Sequence, residues 1–365
     1  MYRALLPRYF LRMLPEVAEA KAIGAVSRLD IQRADVIVFQ RIHAKEHEEL
    51  FKWAREENKK IVYEIDDSVW SIPVWNPAHR IWNTELQERV SHFVSLCDAA
   101  FCTTRDLAQE LSQWNRRVFV LPNSLNLDTW RELPFNVTKS GREEIRIGWG
   151  GSPTHKDDLM TVARVMEDIA WKYRSKKLKY YFFGYAPSEL VERLAGYVAF
   201  ARGVDIRIFP NRLHSLHFDI GLAPLVDCTF NRAKSNIKWL EYSALNVPVV
   251  ASNVGPYRDS IVHGETGLLA ENTYQSWFEN LSQLIESYEL RDYLSRNAHD
   301  LVYRDYDSRK NAWLWYRAFE SLFSKSELET IQSRRLETKQ LGTIEKENSL
   351  DSQVIKTETK RVDAF

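Results

Sequence analysis

Residues 230–270 read FNRAKSNIKWLEYSALNVPVVASNVGPYRDSIVHGETGLLA. The pattern predicts a loop, a helix, a buried strand, and a Gly-rich turn feeding a second short strand. The helix is expected to start near Ser235, an N-cap type residue, with Lys234, Lys238 and Glu241 at its leading edge. That i, i+4, i+7 spacing puts the three side chains on one side of a helix. Two cations at the positive end of a helix dipole, with one carboxylate a turn further in, suit a diphosphate carried by a nucleotide sugar. The phosphates would lie near the helix start, and the carboxylate would accept hydrogen bonds from the ribose hydroxyls.

Outward from this stretch, apolar runs alternate with helical patterns from Asp35 to about Phe323. Predicted strands are ADVIVFQ (34–40), KKIVYEI (59–65), DAAFCTT (98–104) and RVFVLPN (117–123), with helices through 80–96 and 105–114 between them. The scheme repeats after a polar segment around Pro134–Glu144, through EIRIGWGG (144–151), LKYYFFG, VDIRIFP and HFDIGLAPL. DDLMTVARVMEDIAWKY and SELVERLAGY read as helices, two more follow between Trp277 and Val302, and a last one spans 307–323. Strands separated by helices of 10–15 residues imply βαβ units and parallel sheets.

The 365 residues are too many for one average domain and enough for two, each with its own core. Composition is 44% hydrophobic and 27% charged, with no apolar run as long as a membrane span. Fifty basic residues balance 50 acidic ones, which gives no sign of nucleic acid as a partner. Three scattered cysteines, Cys97, Cys102 and Cys228, argue against a disulfide framework or a zinc site and are read as reduced thiols of a cytoplasmic protein.

Three segments of the opening stretch, Lys238-Trp-Leu-Glu241-Tyr-Ser-Ala, Pro248-Val-Val-Ala-Ser252 and Gly264-Glu-Thr-Gly267-Leu-Leu, resemble the donor-sugar half of GT-B glycosyltransferases. The likeness is to the large family 4-like group of retaining enzymes. It runs from about residue 35 to 320, and only this stretch is highly specific. The resemblance implies an α/β fold of the GT-B type: two Rossmann-like domains with parallel sheets facing across a cleft. It places an N-terminal, acceptor-side domain at 1–135, a linker at 136–143 and a nucleotide-sugar-binding domain at 144–306. A helix at 307–325 would cross back to the first domain, with Trp313 and Trp315 as bridge residues, and 326–365, free of aromatic residues up to 364 and of proline, reads as a disordered tail. Relatives usually begin with a strand and a Gly-rich turn; this chain opens on MYRALLPRYFLRMLP, so that first strand is expected to be missing.

Within the resemblance, Glu241 takes the place of the second Glu of the family's E-x7-E pattern, which holds the ribose. The first falls on Ala233, with Asp227 or Asn231 as candidates to supply its contact. Lys234 and Lys238 are expected to neutralise the donor diphosphate, with Ser235 at the helix start beside them. Gly150 and Gly151 end a predicted strand in a turn where backbone N–H groups approach a phosphate or sugar, with His155 and Lys156 close behind. Gly255, Pro256 and Tyr257 follow a strand's carboxyl end, where α/β sheets place ligands; donor contact and plain turn are both open readings. Asp66 and Asp67 end the KKIVYEI strand. Asp66 is read as accepting the acceptor hydroxyl's proton or holding the donor sugar, against the plainer reading of a helix N-cap pair. Their spacing is not that of a DxD metal motif, and neither a metal nor another cofactor is expected. His43 and Arg41 are further acceptor-side candidates, and the Arg-bearing start, Tyr2 to Leu14, is read as a packed helix or a contact with an anionic membrane face.

The resulting expectation is transfer of a sugar from a nucleotide diphosphate donor to a hydroxyl on a glycan or lipid-linked sugar, with retention, in surface polysaccharide or other glycan assembly. The chain would act in the cytoplasm or peripherally at the inner face of the membrane. Two alternatives stand: a degenerate, non-catalytic nucleotide-sugar- or glycan-binding partner subunit, and a nucleotide-sugar epimerase.

Overall fold

The computed structural model describes residues 2–131, 133 and 144–334. The expected linker at 136–143 and most of the expected tail lie outside them. Residues 325–334, the head of that tail, run as a helix.

Four short parallel strands form the first sheet: β1 (Val36–Gln40), β2 (Lys60–Glu64), β3 (Ala99–Cys102) and β4 (Val118–Val120). They lie side by side in chain order. Among the described residues no strand precedes Val36, so the order never reverses. β3 is buried along its length, as a strand covered on both faces must be. One face packs on Phe51, Val90, Phe93 and Leu107. The other packs on the helix Leu5–Leu11 and the late helix Ser308–Glu320, through Leu6, Phe10, Ala312 and Trp315.

The second sheet has six parallel strands: β5 (Glu144–Gly150), β6 (Lys177–Gly184), β7 (Val198–Arg202), β8 (Ile220–Ala223), β9 (Val249–Ser252) and β10 (Leu268–Ala270). Their order is β10-β9-β8-β5-β6-β7. The winding therefore reverses between β5 and β8, the doubly wound Rossmann order, and α/β sheets open a ligand crevice at such a switch point. Gly148 and Gly221 face each other in register there. A methyl on Gly148 would sit 2.0 Å from the Phe218 ring, and one on Gly221 2.7 Å from Tyr242. The two glycines thus make room for two buried rings under the crevice floor.

Two elements differ from the sequence reading. VDIRIFP is not a strand: β7 lies earlier, and Pro210 opens the helix Phe209–Leu216 instead. Proline at the first turn of a helix costs no hydrogen bond, whereas a central strand would lose one. Ser235 does not cap the following helix, which spans Ile237–Ala244 and is preceded by Asn236. Before it, Thr229–Arg232 forms a separate helical turn.

The domains meet through both backbone and side chains. Leu125 N–H donates to the Tyr306 carbonyl and Ser308 N–H donates to the Leu125 carbonyl, which pins the start of the last helix against the first domain. Of the two expected bridge residues, Trp315 is buried against Phe101 and Phe319, whereas Trp313 is 41% exposed on the opposite helix face. Trp313 is no bridge.

Candidate active site

The carboxyl end of β5 is where the switch point opens. A pocket of about 180 Å³ lies there, lined by Gly150, Gly151, Phe209, Leu213, Ile237, Lys238, Glu241 and Tyr242. Gly150 N–H donates to the Tyr242 hydroxyl at 3.0 Å, which ties the glycine turn to the helix Ile237–Ala244. Phe209 stacks on Phe183 and supplies an apolar wall. The result is a crevice with a side-chain-free glycine turn on one side, a cation and a carboxylate on another, and a flat aromatic surface.

Glu241 is nearly buried, and burial pushes its carboxyl up to about 7 against the opposing pull of the Tyr2 hydroxyl and Lys238. Burial, then the like charge of Lys234, lower the ammonium of Lys238. Lys234 stands just ahead of the helix rather than on it, but its ammonium lies 3.4 Å from Asp158 Oδ2 and close enough to Lys238 to act on it. The three residues read as one constellation from their spacing are together.

Asp158 is a member of this cluster that the sequence reading did not single out. It is buried, with Oδ2 2.9 Å from His155 Nδ1, while Oδ1 accepts the Asn231 amide at 2.7 Å and the Val226 N–H at 3.0 Å. Burial alone would raise its carboxyl; the hydrogen bond with His155 and the charge of Lys234 hold it below the ordinary value. The charge of Lys238, then burial, push His155 down to about 3, so its ring is neutral at pH 7. An acid in an amphipathic helical pattern gives no sign of such a role; only the hydrogen bonds reveal it.

The remaining candidates divide. Asn231 faces the site but spends its amide on Asp158 and the Val226 carbonyl. Asp227 is half-exposed in an ion pair with Arg232, and Lys156 pairs outward with Glu189. The Ser235 hydroxyl accepts from Asn123 Nδ2 of the first domain at 2.9 Å. Gly255, Pro256 and Tyr257 are buried and do not line the pocket. Gly255, at φ +41°, brings its backbone against Arg232, where an added methyl would meet the Arg232 Cα at 2.5 Å. Ala233 is buried against the first domain's core, and its carbonyl accepts the Thr104 hydroxyl at 2.8 Å.

From the first domain, Asp66 and Asp67 follow β2 at the cleft. Arg41, with φ +50°, reaches Asp66 at 3.5 Å and lies over the Trp82 ring. His43 packs edge-on against the same ring. Burial, then Asp66 beside it, raise the carboxyl of Asp67, while Arg41, Lys234 and Lys238 pull it down. Asp67 therefore feels both lysines across the cleft. No cluster of three or more His, Cys, Asp or Glu suited to a metal occurs among the described residues, and no helix among them is long and apolar enough to cross a membrane.

Two parallel-sheet domains with a pocket at the second domain's switch point give the chain the GT-B architecture of solved glycosyltransferases. Residues 236–301 match the family described as glycosyl transferases group 1, and they hold both Lys238 and Glu241. No curated protein matches the chain. Among solved structures, HepE of Anabaena, determined in complex with UDP and glucose, is similar at 12% identity and a TM-score of 0.60, over 80% of each chain. Sucrose-phosphate synthase of Thermosynechococcus elongatus is similar at 14% identity and 0.59, over 79% of this chain and 74% of its own. A glycosyltransferase of Rickettsia africae is similar at 12% and 0.59, over 84% and 85%.

Proposed function

We propose that the protein transfers a sugar from a nucleotide diphosphate sugar to a hydroxyl group, with retention of configuration. The observation that carries this reading is the pocket in which Gly150, Gly151, Lys238 and Glu241 converge, with Asp67 opposite. The base packs on the Phe209 wall, and the ionised Glu241 accepts both ribose hydroxyls. The diphosphate lies toward the glycine turn and the lysines. As the sugar leaves, negative charge grows on the phosphate oxygens, and fixed cations stabilise it without reorganising. The acceptor enters from the first domain and attacks on the face the diphosphate leaves, which helps to take its proton. Asp66 and Asp67 line that approach. Closure of the domains excludes water, because hydrolysis competes with transfer.

The acceptor is read as a glycan or a lipid-linked sugar in surface polysaccharide or other glycan assembly, handled in the cytoplasm. Leu5 and Tyr9 on the first helix and Met13 just past its end are each about half exposed, beside Arg12. These side chains suit peripheral contact with an anionic membrane face.

The test is a thermal-shift panel of UDP-, GDP-, ADP-, dTDP- and CMP-sugars, with UDP first because HepE was solved with it. One nucleotide class should raise the midpoint, and Glu241→Ala should cost about 1.5–3 kcal/mol of its binding, the worth of a charged hydrogen bond. Lys234→Ala should weaken the diphosphate more than the nucleoside. A Glu241→Ala protein that binds within about 0.5 kcal/mol of the parent removes the ribose assignment. Ala233, where relatives carry a Glu, favours a second reading as a donor-binding partner without catalysis. Donor affinity with no nucleotide release in the presence of acceptors would establish that one.

A further inference from the structure

Glu241 has a partner that the proposed chemistry does not use. The Tyr2 hydroxyl donates to Glu241 Oε1 at 2.7 Å, across 239 positions of sequence. The neighbouring Arg3 is buried in the first domain, with Nε 2.6 Å from Glu64 Oε1 at the end of β2, Nη1 2.5 Å from the Leu121 carbonyl, and its guanidinium over the Trp315 ring. Tyr2 packs against apolar clusters of both domains. Here the Arg3–Glu64 pair anchors the segment in one domain, and the next residue touches the donor pocket of the other.

We propose that Tyr2 is a positioning residue of the donor site: its hydroxyl holds the Glu241 carboxylate in place, ready for the ribose. This rests on the reading of Glu241 as the ribose acceptor. An ionised carboxylate offers about four acceptor positions, so one phenol leaves capacity for two ribose hydroxyls. Without that donor the side chain could turn about its outer torsions, and its burial would favour the neutral acid, which accepts hydrogen bonds poorly. The titratable and charged groups acting on Glu241 are few. Tyr2 comes from the N-terminal segment, Lys238 from a turn earlier on the same helix, and Tyr242 and Tyr257 lie in its field. Lys234, Asp158 and Asp67 act on Lys238.

The experiment titrates UDP, GDP and ADP calorimetrically into the full chain, tagged at its C-terminus, and follows the tightest of the three from pH 6 to 9. The parent is compared with Tyr2→Phe, Glu241→Gln and the double variant. Tyr2→Phe keeps the ring and its packing. It should bind about fivefold more weakly at pH 7, with the acid limb of its binding profile moved up by about one pH unit relative to the parent. Glu241→Gln should bind weakly with no such limb, and adding Tyr2→Phe to it should change nothing further. A Tyr2→Phe protein with the parent's affinity and limb, beside a weakened Glu241→Gln, overturns the role of Tyr2 alone. An equal loss from Tyr2→Phe in both backgrounds does the same, since it marks a packing effect. If Glu241→Gln binds like the parent, or none of the three nucleotides binds, the donor-site reading falls and the inference with it.

Discussion

Asp158 shows at the scale of one residue how the site is held. Its two oxygens organise four groups, the Asn231 amide, the Val226 N–H, His155 and Lys234, which come from three segments. Removing it strands buried donors and takes the nearest carboxylate from Lys234, beside Lys238. Asp158→Ala should therefore lower stability by about 2–4 kcal/mol, read as a fall in the midpoint of urea unfolding, because each buried group left unpaired costs about 1–3 kcal/mol. A variant as stable as the parent would mean that water replaces the carboxylate at little cost. Glu64 supports a pH prediction. Burial raises its carboxyl from the ordinary 4.5 to about 7, against the pull of Arg3. The folded state then holds a proton that the unfolded chain gives up near 4.5, so the stabilising contribution is complete below about 4.5 and lost as pH rises through 7. The term amounts to at most about 3 kcal/mol. Thermal midpoints measured from pH 4.5 to 8 should decline less steeply in Glu64→Gln than in the parent; parallel profiles would show that Glu64 ionises freely when folded.

At the scale of elements, the central pair β5 and β8 sets the floor of the pocket. Gly148 and Gly221 are opposite each other in register, and the rings of Phe218 and Tyr242 fill the space that side chains would take. Tyr242 then reaches Gly150 and fixes the turn that faces the donor. Gly148→Ala forces a methyl into an aromatic ring on a buried strand. The expected cost is about 1–3 kcal/mol by chemical denaturation, the usual penalty for overpacking. Donor affinity should weaken with it, because the turn at Gly150 lies two residues on. An alanine variant with unchanged midpoint would show that Phe218 has room to move.

At the scale of the whole molecule, the last helix and the N-terminal segment join the two domains. Trp315 packs on Phe101 in the first sheet and under the Arg3 guanidinium, while the start of its helix is pinned at Leu125. Cutting Trp315 back to Ala removes that buried ring and should cost about 3–5 kcal/mol. It should also loosen the coupling between domains, so that one calorimetric transition in the parent becomes two in the variant. A single transition merely shifted to lower temperature would indicate that the contacts of Ala233 with Thr104 and of Ser235 with Asn123 suffice to couple the halves.

Read alone, the sequence made legible the alternation of strands and helices, the parallel sheets, and the grouping of Lys234, Lys238 and Glu241, because each depends on local periodicity or on spacing along one short segment. The apolar runs of β3 and β9 could be read directly, since a strand covered on both faces has no polar side to confuse the pattern. It misplaced β7, where VDIRIFP has the composition of a strand but Pro210 opens a helix. The rest depends on how the chain folds back on itself: the strand order reverses beside Gly150, Asp158 braces Asn231 and Lys234, and Tyr2 touches Glu241. These contacts join positions 73 to 239 residues apart, and their energies come from burial and paired charges, which have no signature within a single stretch of chain.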